Sequence, residues 1–271
     1  DKNLVTYLSV TYSIPEWIIK FFMKTYDDET VEKIIESYLE DKKTTLCCLM
    51  CKGGKDVIRK ELEEENVTVE DGELIENSVK ISDYDFLYRL RAFREGKCYV
   101  QDESSMLCAK LAGAKEGQFV MDLCSAPGGK SLYTADQMKG SGQVLSRDLT
   151  EYKTDLIEDN IERMGFTNME AEVFDATILD EEHIEAADVV IADVPCSGLG
   201  IMGKKNDIKY HISEDGMKDL VKLQREILTN AVQYVKHGGT LIYSTCTINP
   251  EENEKNMQWI INNFDYEAVD I

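Results

Sequence analysis

Residues 187–200 read ADVVIADVPCSGLG. Apart from Asp188, the first seven form an unbroken apolar run closed by Asp193, which predicts a strand covered on both faces, as in a parallel sheet. Val194 and Pro195 lead to Cys196 and a Ser-Gly-Leu-Gly turn, so a thiol stands just beyond the carboxyl end of a buried strand. Fifty residues further on, TLIYSTC (240–246) repeats the arrangement and ends in Cys246, followed by TINPEEN.

Working outward, FVMDLC (119–124), QVLSRD (143–148) and MEAEVFD (169–175) have the same continuous apolar character. Helical patterns lie between them. TEYKTDLIEDNIERMG (150–165) places Leu156, Ile157, Ile161 and Met164 on one face and stops at Gly165; MKDLVKLQREILTNAVQYV (217–235) behaves alike ahead of His-Gly-Gly. Strand-helix-strand repetition of this kind predicts an α/β domain with a doubly wound, mostly parallel sheet over residues 99–271. The first 98 residues differ in texture. PEWIIKFFMKTY (15–26) and ETVEKIIESYLE (29–40) read as amphipathic helices, while TTLCCLMC (44–51), GKDVIRKELEEEN (54–66), TVE (68–70) and SVKIS (78–82) suggest a small strand-helix-strand-strand unit, hence a separate α+β module.

The totals exclude several classes. No apolar stretch is long enough to cross a bilayer, and the start lacks the layout of a signal peptide. Eight cysteines set in apolar runs, without an export signal, predict a reduced, cytoplasmic protein and not a disulfide scaffold. Cys47, Cys48 and Cys51 offer a C-x-x-C spacing with no second pair to complete a zinc site, so no metal is expected. A net charge of −22, from 52 acidic and 30 basic residues, opposes nucleic-acid binding except through local basic clusters such as RLRAFREGK (89–97) and GKKNDIK (203–209). A monomer is expected, since no coiled-coil pattern is present. The chain begins at Asp1 and stops at YEAVDI, so both ends are expected to be trimmed.

DLCSAPGGKS (122–131) passes from a strand end through Pro127, Gly128 and Gly129 into a helix start. Glycines there let a ligand approach the backbone, and the helix offers unpaired N–H groups. A phosphate loop, G-x-x-x-x-G-K-[ST], would need glycine where Cys124 stands, although Gly129, Lys130 and Ser131 match it; a dinucleotide G-x-G-x-x-G is absent. Carboxylates at successive strand ends, Asp122, Asp148, Asp175 and Asp193, suit a neutral or cationic nucleoside such as S-adenosylmethionine, with Asp148 placed for ribose hydroxyls. Helix capping is the competing reading for some of these acids.

Two thiols at neighbouring strand ends, beside such a ligand, fit alkylation of carbon 5 of a pyrimidine. Adding a thiolate to carbon 6 makes carbon 5 nucleophilic, and an acid near the ring nitrogen, for which Asp193 is the candidate, would stabilise the developing charge. Asn249 and Pro250 predict a helix start just after Cys246 that would favour its thiolate. Spacing alone leaves open which thiol attacks.

With DLCSAPGGKS, DVPCSGLG and YSTCTINPEENE in hand, the chain resembles the RNA cytosine-5 methyltransferases, the superfamily of the Nop2/Sun proteins; QDESSM (101–106) and YSIPEWIIKFF are most similar to the bacterial 16S ribosomal RNA methyltransferase B type. The resemblance implies a Rossmann-like methyltransferase domain after an RNA-recognition-like module, S-adenosyl-L-methionine as methyl donor, and 16S ribosomal RNA as partner. It implies that Cys246 is the nucleophile and that Cys196 helps release the product. It also implies that Cys124, Ser125, Ala126, Pro127, Gly128, Gly129 and Lys130, with Asp148, Asp175 and Asp193, line the cofactor site, that Asp193 faces the base, and that Arg89, Arg91, Arg94 and Lys97 contact phosphates. The sequence departs from the family pattern at Val194, Lys204 and Asn206. Two other readings compete: a P-loop-like nucleotide hydrolase, and a non-catalytic ribosome assembly factor.

Overall fold

The computed structural model describes residues 2–40 and 43–269. Contacts divide the chain into two compact units, which do not coincide with segments 1–98 and 99–271. One comprises Asp1–Lys42, Cys196–Lys222 and Thr245–Gln258; the other comprises Lys43–Pro195, Leu223–Ser244 and Trp259–Ile271.

The larger unit holds two sheets. Strands β1 (Thr44–Cys48), β2 (Thr68–Asp71), β3 (Ser78–Ser82) and β4 (Cys98–Val100) form an antiparallel sheet in the order β2-β3-β1-β4. Its core includes Leu46, Val79 and Ile81, packed with Ile58 and Leu62 of the helix Gly54–Glu64. Strands β5 (Phe119–Asp122), β6 (Gln143–Asp148), β7 (Met169–Val173), β8 (Ala187–Asp193) and β9 (Val235–Ser244) form a parallel sheet in the order β7-β6-β5-β8-β9. The continuous apolar runs have a direct cause here. Val120, Val144, Val189 and Ile191 join one cluster with Met106, Leu132 and Ala135, while Met121, Leu145, Val190 and Ala192 join another with Ile227, Leu228 and Ala231. Successive residues of each strand thus enter different apolar layers, and no solvent-facing row is left to alternate.

Strand order reverses at β5, whose neighbours are β6 and β8, and such a switch point opens a crevice beyond the carboxyl ends of the strands. Parallel register sets Asp193, the last residue of β8, opposite Ser244, the last residue of β9.

The smaller unit is built on helices Lys2–Tyr12, Glu16–Phe22 and Asp28–Ser37, the third capped by Asp27, which accepts from the Thr30 N–H at 2.8 Å. The first of these helices was not among the sequence-predicted elements. Leu8, Ile18, Ile19, Phe22, Val31 and Ile35 are fully or almost fully buried and pack with Leu199, Met202 and Met217. Tyr38 donates to the Leu199 carbonyl at 2.7 Å and Tyr26 to the Ile248 carbonyl at 3.3 Å. The amphipathic stripes were legible in the sequence; their partners, 160 and more residues away, were not. Among the described residues no helix is long and apolar enough to cross a membrane.

Helix Glu103–Leu111 starts with a carboxylate only 9% exposed. Glu103 accepts from the N–H groups of Glu73 (3.1 Å), Leu74 (2.8 Å) and Ile75 (3.0 Å) and from the Ser78 hydroxyl (2.7 Å), which closes the loop between β2 and β3. Burial by itself would raise its pKa, but the hydrogen bonds outweigh burial and bring it from the usual 4.5 down to about 2. A carboxyl depressed in the folded state stabilises fully above its unfolded pKa and loses that stabilisation as pH falls through the folded value. Glu103→Gln is therefore expected to cost roughly 1–3 kcal/mol at pH 7 in chemical denaturation. The gap to wild type should narrow as pH drops from 4.5 towards 2; a gap independent of pH would contradict the assignment.

Candidate active site

In the larger unit, the segment from Asp122 to Lys130 turns sharply after the central strand. The Ser125 N–H donates to the Arg147 carbonyl (2.9 Å), the Gly128 N–H to the Ser125 carbonyl (2.7 Å), and the Ala126 N–H to Asp148 Oδ2 (3.0 Å). Pro127 follows a cis bond, and its carbonyl accepts from Asn160 Nδ2 at 3.0 Å. Gly128 has a φ of +100°, a backbone state that side chains disfavour. A Cβ on Gly129 would lie 3.1 Å from Gln101 Nε2, so the second glycine is fixed by close packing.

The strand-end acids differ in their surroundings. Asp122 is almost fully buried, accepts from the Ser131 hydroxyl at 2.7 Å with one carboxylate oxygen, and leaves the other without a partner among the described residues. Burial raises its pKa to about 6, against the lowering influence of Ser131 and Lys130. Asp148 accepts from the Leu149 N–H (2.8 Å) and from Lys153 Nζ (2.9 Å). Asp193 is bound by Lys130 Nζ at 2.5 Å and by the Ser244 hydroxyl at 2.7 Å. Burial works against the charge on Lys130, but Asp193 outweighs it and raises the lysine pKa. Lys130 thus stays protonated in the pair.

Asp175 lies two residues beyond the end of β7 instead of closing it. It accepts from the Thr177 N–H (2.9 Å) and hydroxyl (2.7 Å), bonds that lower its pKa and close its own turn. Cys124 is half-buried, and burial, then the charges of Asp122, Asp148 and Asp193, push its thiol well above the ordinary range. Lys153, Ser244 and Cys108 are additions that sequence reasoning did not single out, while Ser131 enters that reasoning only as a match to a phosphate loop. Cys108 interacts with Ser244 and feels Lys130 and Asp193. Only Ser131 carried a signal, as the last letter of Gly-Lys-Ser.

This donor set fits a nucleoside bearing positive charge better than a phosphate chain. Carboxylates predominate, and the lysine a phosphate would need is already paired. Among the described residues there is no group of three or more His, Cys, Asp or Glu side chains able to hold a metal.

In the smaller unit, the Cys196 and Cys246 sulfurs are 3.1 Å apart, and the Cys246 N–H donates to the Cys196 sulfur at 3.2 Å. Gly198, with φ of +68°, starts the short turn Leu199–Ile201, and the Gly200 N–H donates to the Cys246 carbonyl at 3.1 Å. A Cβ on Gly200 would come within 2.9 Å of that carbonyl, so glycine permits the two thiol loops to meet. The hydrogen bond with Cys246, then burial, then the charge of Cys246 push the Cys196 thiol far above its ordinary pKa. Cys196 therefore keeps its proton beside Cys246, the more exposed of the two thiols.

The expected helix start just after Cys246 is not found. The helix begins at Glu254; ahead of it Asn249 opens a turn, its side chain accepting from the Glu251 N–H at 3.1 Å and its carbonyl from the Asn253 N–H at 3.2 Å. Glu252 is fully buried and accepts from the Ser197 N–H at 2.9 Å.

Of the basic residues assigned to phosphates, Arg89 pairs with Asp85 (3.0 Å), Arg91 lies 3.8 Å from Glu64, and Lys97 pairs with Glu61 (2.8 Å) and Glu95 (2.9 Å). The Arg89 and Arg91 pairs are exposed enough to be worth little on their own.

A parallel sheet with a glycine loop after its central strand, and a carboxylate ending the adjacent one, defines a Rossmann-like α/β domain of the nucleoside-binding kind. Comparison narrows this further. Residues 109–270 match the family described as 16S rRNA methyltransferase RsmB/F. The chain is 37% identical over 255 residues to the probable ribosomal RNA small subunit methyltransferase B of Bacillus subtilis, covering 94% of this chain and 57% of that protein. Identity to the ribosomal RNA small subunit methyltransferase F of Klebsiella pneumoniae is 35% over 178 residues, 65% of this chain and 37% of that protein. The crystal structure of PH0851 superposes with a TM-score of 0.92 at 32% identity, over 97% of this chain and 59% of that one. NSun6 from Pyrococcus horikoshii, solved with SFG, shares the fold at a TM-score of 0.85 and 19% identity, over 95% of this chain and 90% of that one. The chain belongs to the 16S rRNA methyltransferase RsmB/F family and spans somewhat over half the length of its Bacillus subtilis relative.

Alkylation by iodoacetamide near pH 8, followed by peptide mapping, is expected to modify Cys246 well before Cys196. Cys47 and Cys98, buried and pushed up to about 12, should react only on unfolding. Equal or faster modification of Cys196 would contradict its retention of the proton.

Proposed function

We propose that this chain methylates carbon 5 of a cytosine in 16S ribosomal RNA, with S-adenosylmethionine as methyl donor and Cys246 as nucleophile. The observation that carries the proposal is the 3.1 Å approach of two sulfurs of unequal acidity. A pure assembly factor needs no such pair, and a nucleotide hydrolase needs a lysine not already committed to a carboxylate.

Chain connectivity links this pair to the strand-end acids. Cys196 follows Asp193 by three residues and Cys246 follows Ser244 by two. Three residues of extended chain span no more than about 10 Å. Asp122, Asp148 and the turn from Cys124 to Gly129 would hold the nucleoside, whose sulfonium supplies an electrophilic methyl group when bound. Asp175 would contribute from its closed turn.

The thiolate of Cys246 adds to carbon 6 of the cytosine, and the electron pair released into the ring makes carbon 5 nucleophilic. The Lys130 ammonium, kept protonated by Asp193, offers a hydrogen bond to the charge that gathers on the ring. Carbon 5 takes the methyl group; its proton must then leave so that the carbon–sulfur bond to Cys246 can break. Cys196 is suited to that last step. Once Cys246 is bound to carbon its sulfur carries no charge and accepts a hydrogen bond from the Cys196 thiol only weakly, so the two influences other than burial that hold Cys196 protonated fade. Cys196 can then release its proton to solvent, and as a thiolate accept the carbon 5 proton while the electron pair of that C–H bond reforms the ring double bond and expels Cys246 as a thiolate.

Single replacement of each thiol by alanine tests this. Cys246→Ala is expected to lose methyl transfer by at least a thousandfold, and Cys196→Ala to accumulate a covalent RNA adduct visible on a denaturing gel. Full methylation by Cys246→Ala would refute the proposal.

A further inference from the structure

We propose that Glu252 is the positioning residue that sets the distance between the two thiols. It is fully buried and bridges the two loops that carry them. Oε2 accepts from the Ser197 N–H at 2.9 Å; Oε1 accepts from the Ser197 hydroxyl at 2.5 Å and from Asn249 Nδ2 at 2.9 Å. Ser197 is the residue after Cys196, and its hydroxyl also lies 2.7 Å from the Thr247 hydroxyl, on the residue after Cys246. Thr247 Oγ1 in turn accepts from the Asn249 N–H at 3.2 Å. A closed polar circuit therefore runs from one thiol loop to the other, with one carboxylate at its centre.

A carboxylate without solvent is tolerated only where donors surround it, and here they come from both loops. The two bonds from Ser197 to Glu252 consequently join the Cys196 loop to the segment that carries Cys246. Other bonds between the loops, from the Gly200 N–H to the Cys246 carbonyl and from the Cys246 N–H to the Cys196 sulfur, are single contacts, whereas Glu252 receives two donors from Ser197. Reaction rates between held groups fall steeply when the spacing relaxes by even an ångström. Glu252 acts on the chemistry through that spacing and touches neither sulfur in any bond described above.

The inference rests on the reading of Cys246 and Cys196 as a reacting pair, and its test separates the two. Equilibration with reduced and oxidised glutathione reports how close the thiols are held: both protein thiols are oxidised to a Cys196–Cys246 disulfide, and one oxidised glutathione is reduced to two thiols. Glu252→Gln keeps the shape but turns an amide N–H₂ towards donors, and is expected to lower the equilibrium constant at least tenfold with the far-ultraviolet circular dichroism unchanged. In methyl transfer it should lower kcat at least tenfold and leave KM for S-adenosylmethionine within twofold. Ser197→Ala keeps the N–H bond and should show a smaller loss in both. An unchanged glutathione equilibrium in folded Glu252→Gln overturns the role whatever the activity; if that variant does not fold, wild-type values of both quantities in Ser197→Ala overturn it. Wild-type methylation by Cys246→Ala would instead overturn the adduct reading, with the glutathione equilibrium still deciding the role of Glu252.

Discussion

Two sulfur atoms 3.1 Å apart cannot both carry a negative charge. At an effective dielectric of about 20 the repulsion between two thiolates at that separation would be on the order of 5 kcal/mol before screening at the exposed sulfur. This constraint divides the labour. Cys246 is the more exposed of the two, and Cys196 is held protonated beside it. In the proposed reaction the constraint reverses: when Cys246 forms a bond to carbon, its charge would be gone and Cys196 would regain its acidity. A pair of identical residues can thus serve in sequence as nucleophile and as proton acceptor without a dedicated histidine.

Much of the smaller unit serves to keep the two thiol loops in place. Three N-terminal helices pack on Leu199 and Met202, Tyr38 and Tyr26 bind the carbonyls of Leu199 and Ile248, and the buried Glu252 joins the loops directly. The larger unit has a different task. It presents carboxylates near the ends of parallel strands, of which Asp193 is paired with Lys130 of the glycine loop and Asp148 with Lys153. Under the proposed function this carboxylate-rich surround suits a ligand that carries positive charge, and the pairing of Lys130 counts against reading Gly-Lys-Ser as a phosphate loop.

The parallel sheet was legible because its strands are apolar on both faces, so that each run, FVMD or ADVVIAD, declares its burial without reference to a partner. The positions of Cys196 and Cys246 were legible for the same reason, since both follow strand ends. Three features were hidden. The compact unit formed by residues near the start of the chain with residues 196–222 and 245–258 depends on contacts between segments distant in sequence, which no local pattern encodes. The helix expected just after Cys246 starts only at Glu254, behind a turn that Asn249 opens with its side chain and carbonyl. Nothing in Pro-Glu-Glu-Asn-Glu distinguishes Glu252 from its acidic neighbours, yet it is buried and met by donors from Ser197 and Asn249. Asp193 was read as an isolated acid, whereas Lys130, 63 residues earlier in the chain, changes what it can do.

The central claim, that Cys246 is the sulfur that bonds to the base, is tested most directly with an RNA substrate whose target cytosine carries fluorine at carbon 5. Fluorine cannot leave as the proton does, so after methyl transfer the adduct persists and its protein attachment point can be read by peptide mass spectrometry. The account predicts a stable cross-link on the peptide that contains Cys246. Attachment at Cys196, or methylation of the ordinary RNA with no cross-link to the fluorinated one, would contradict it.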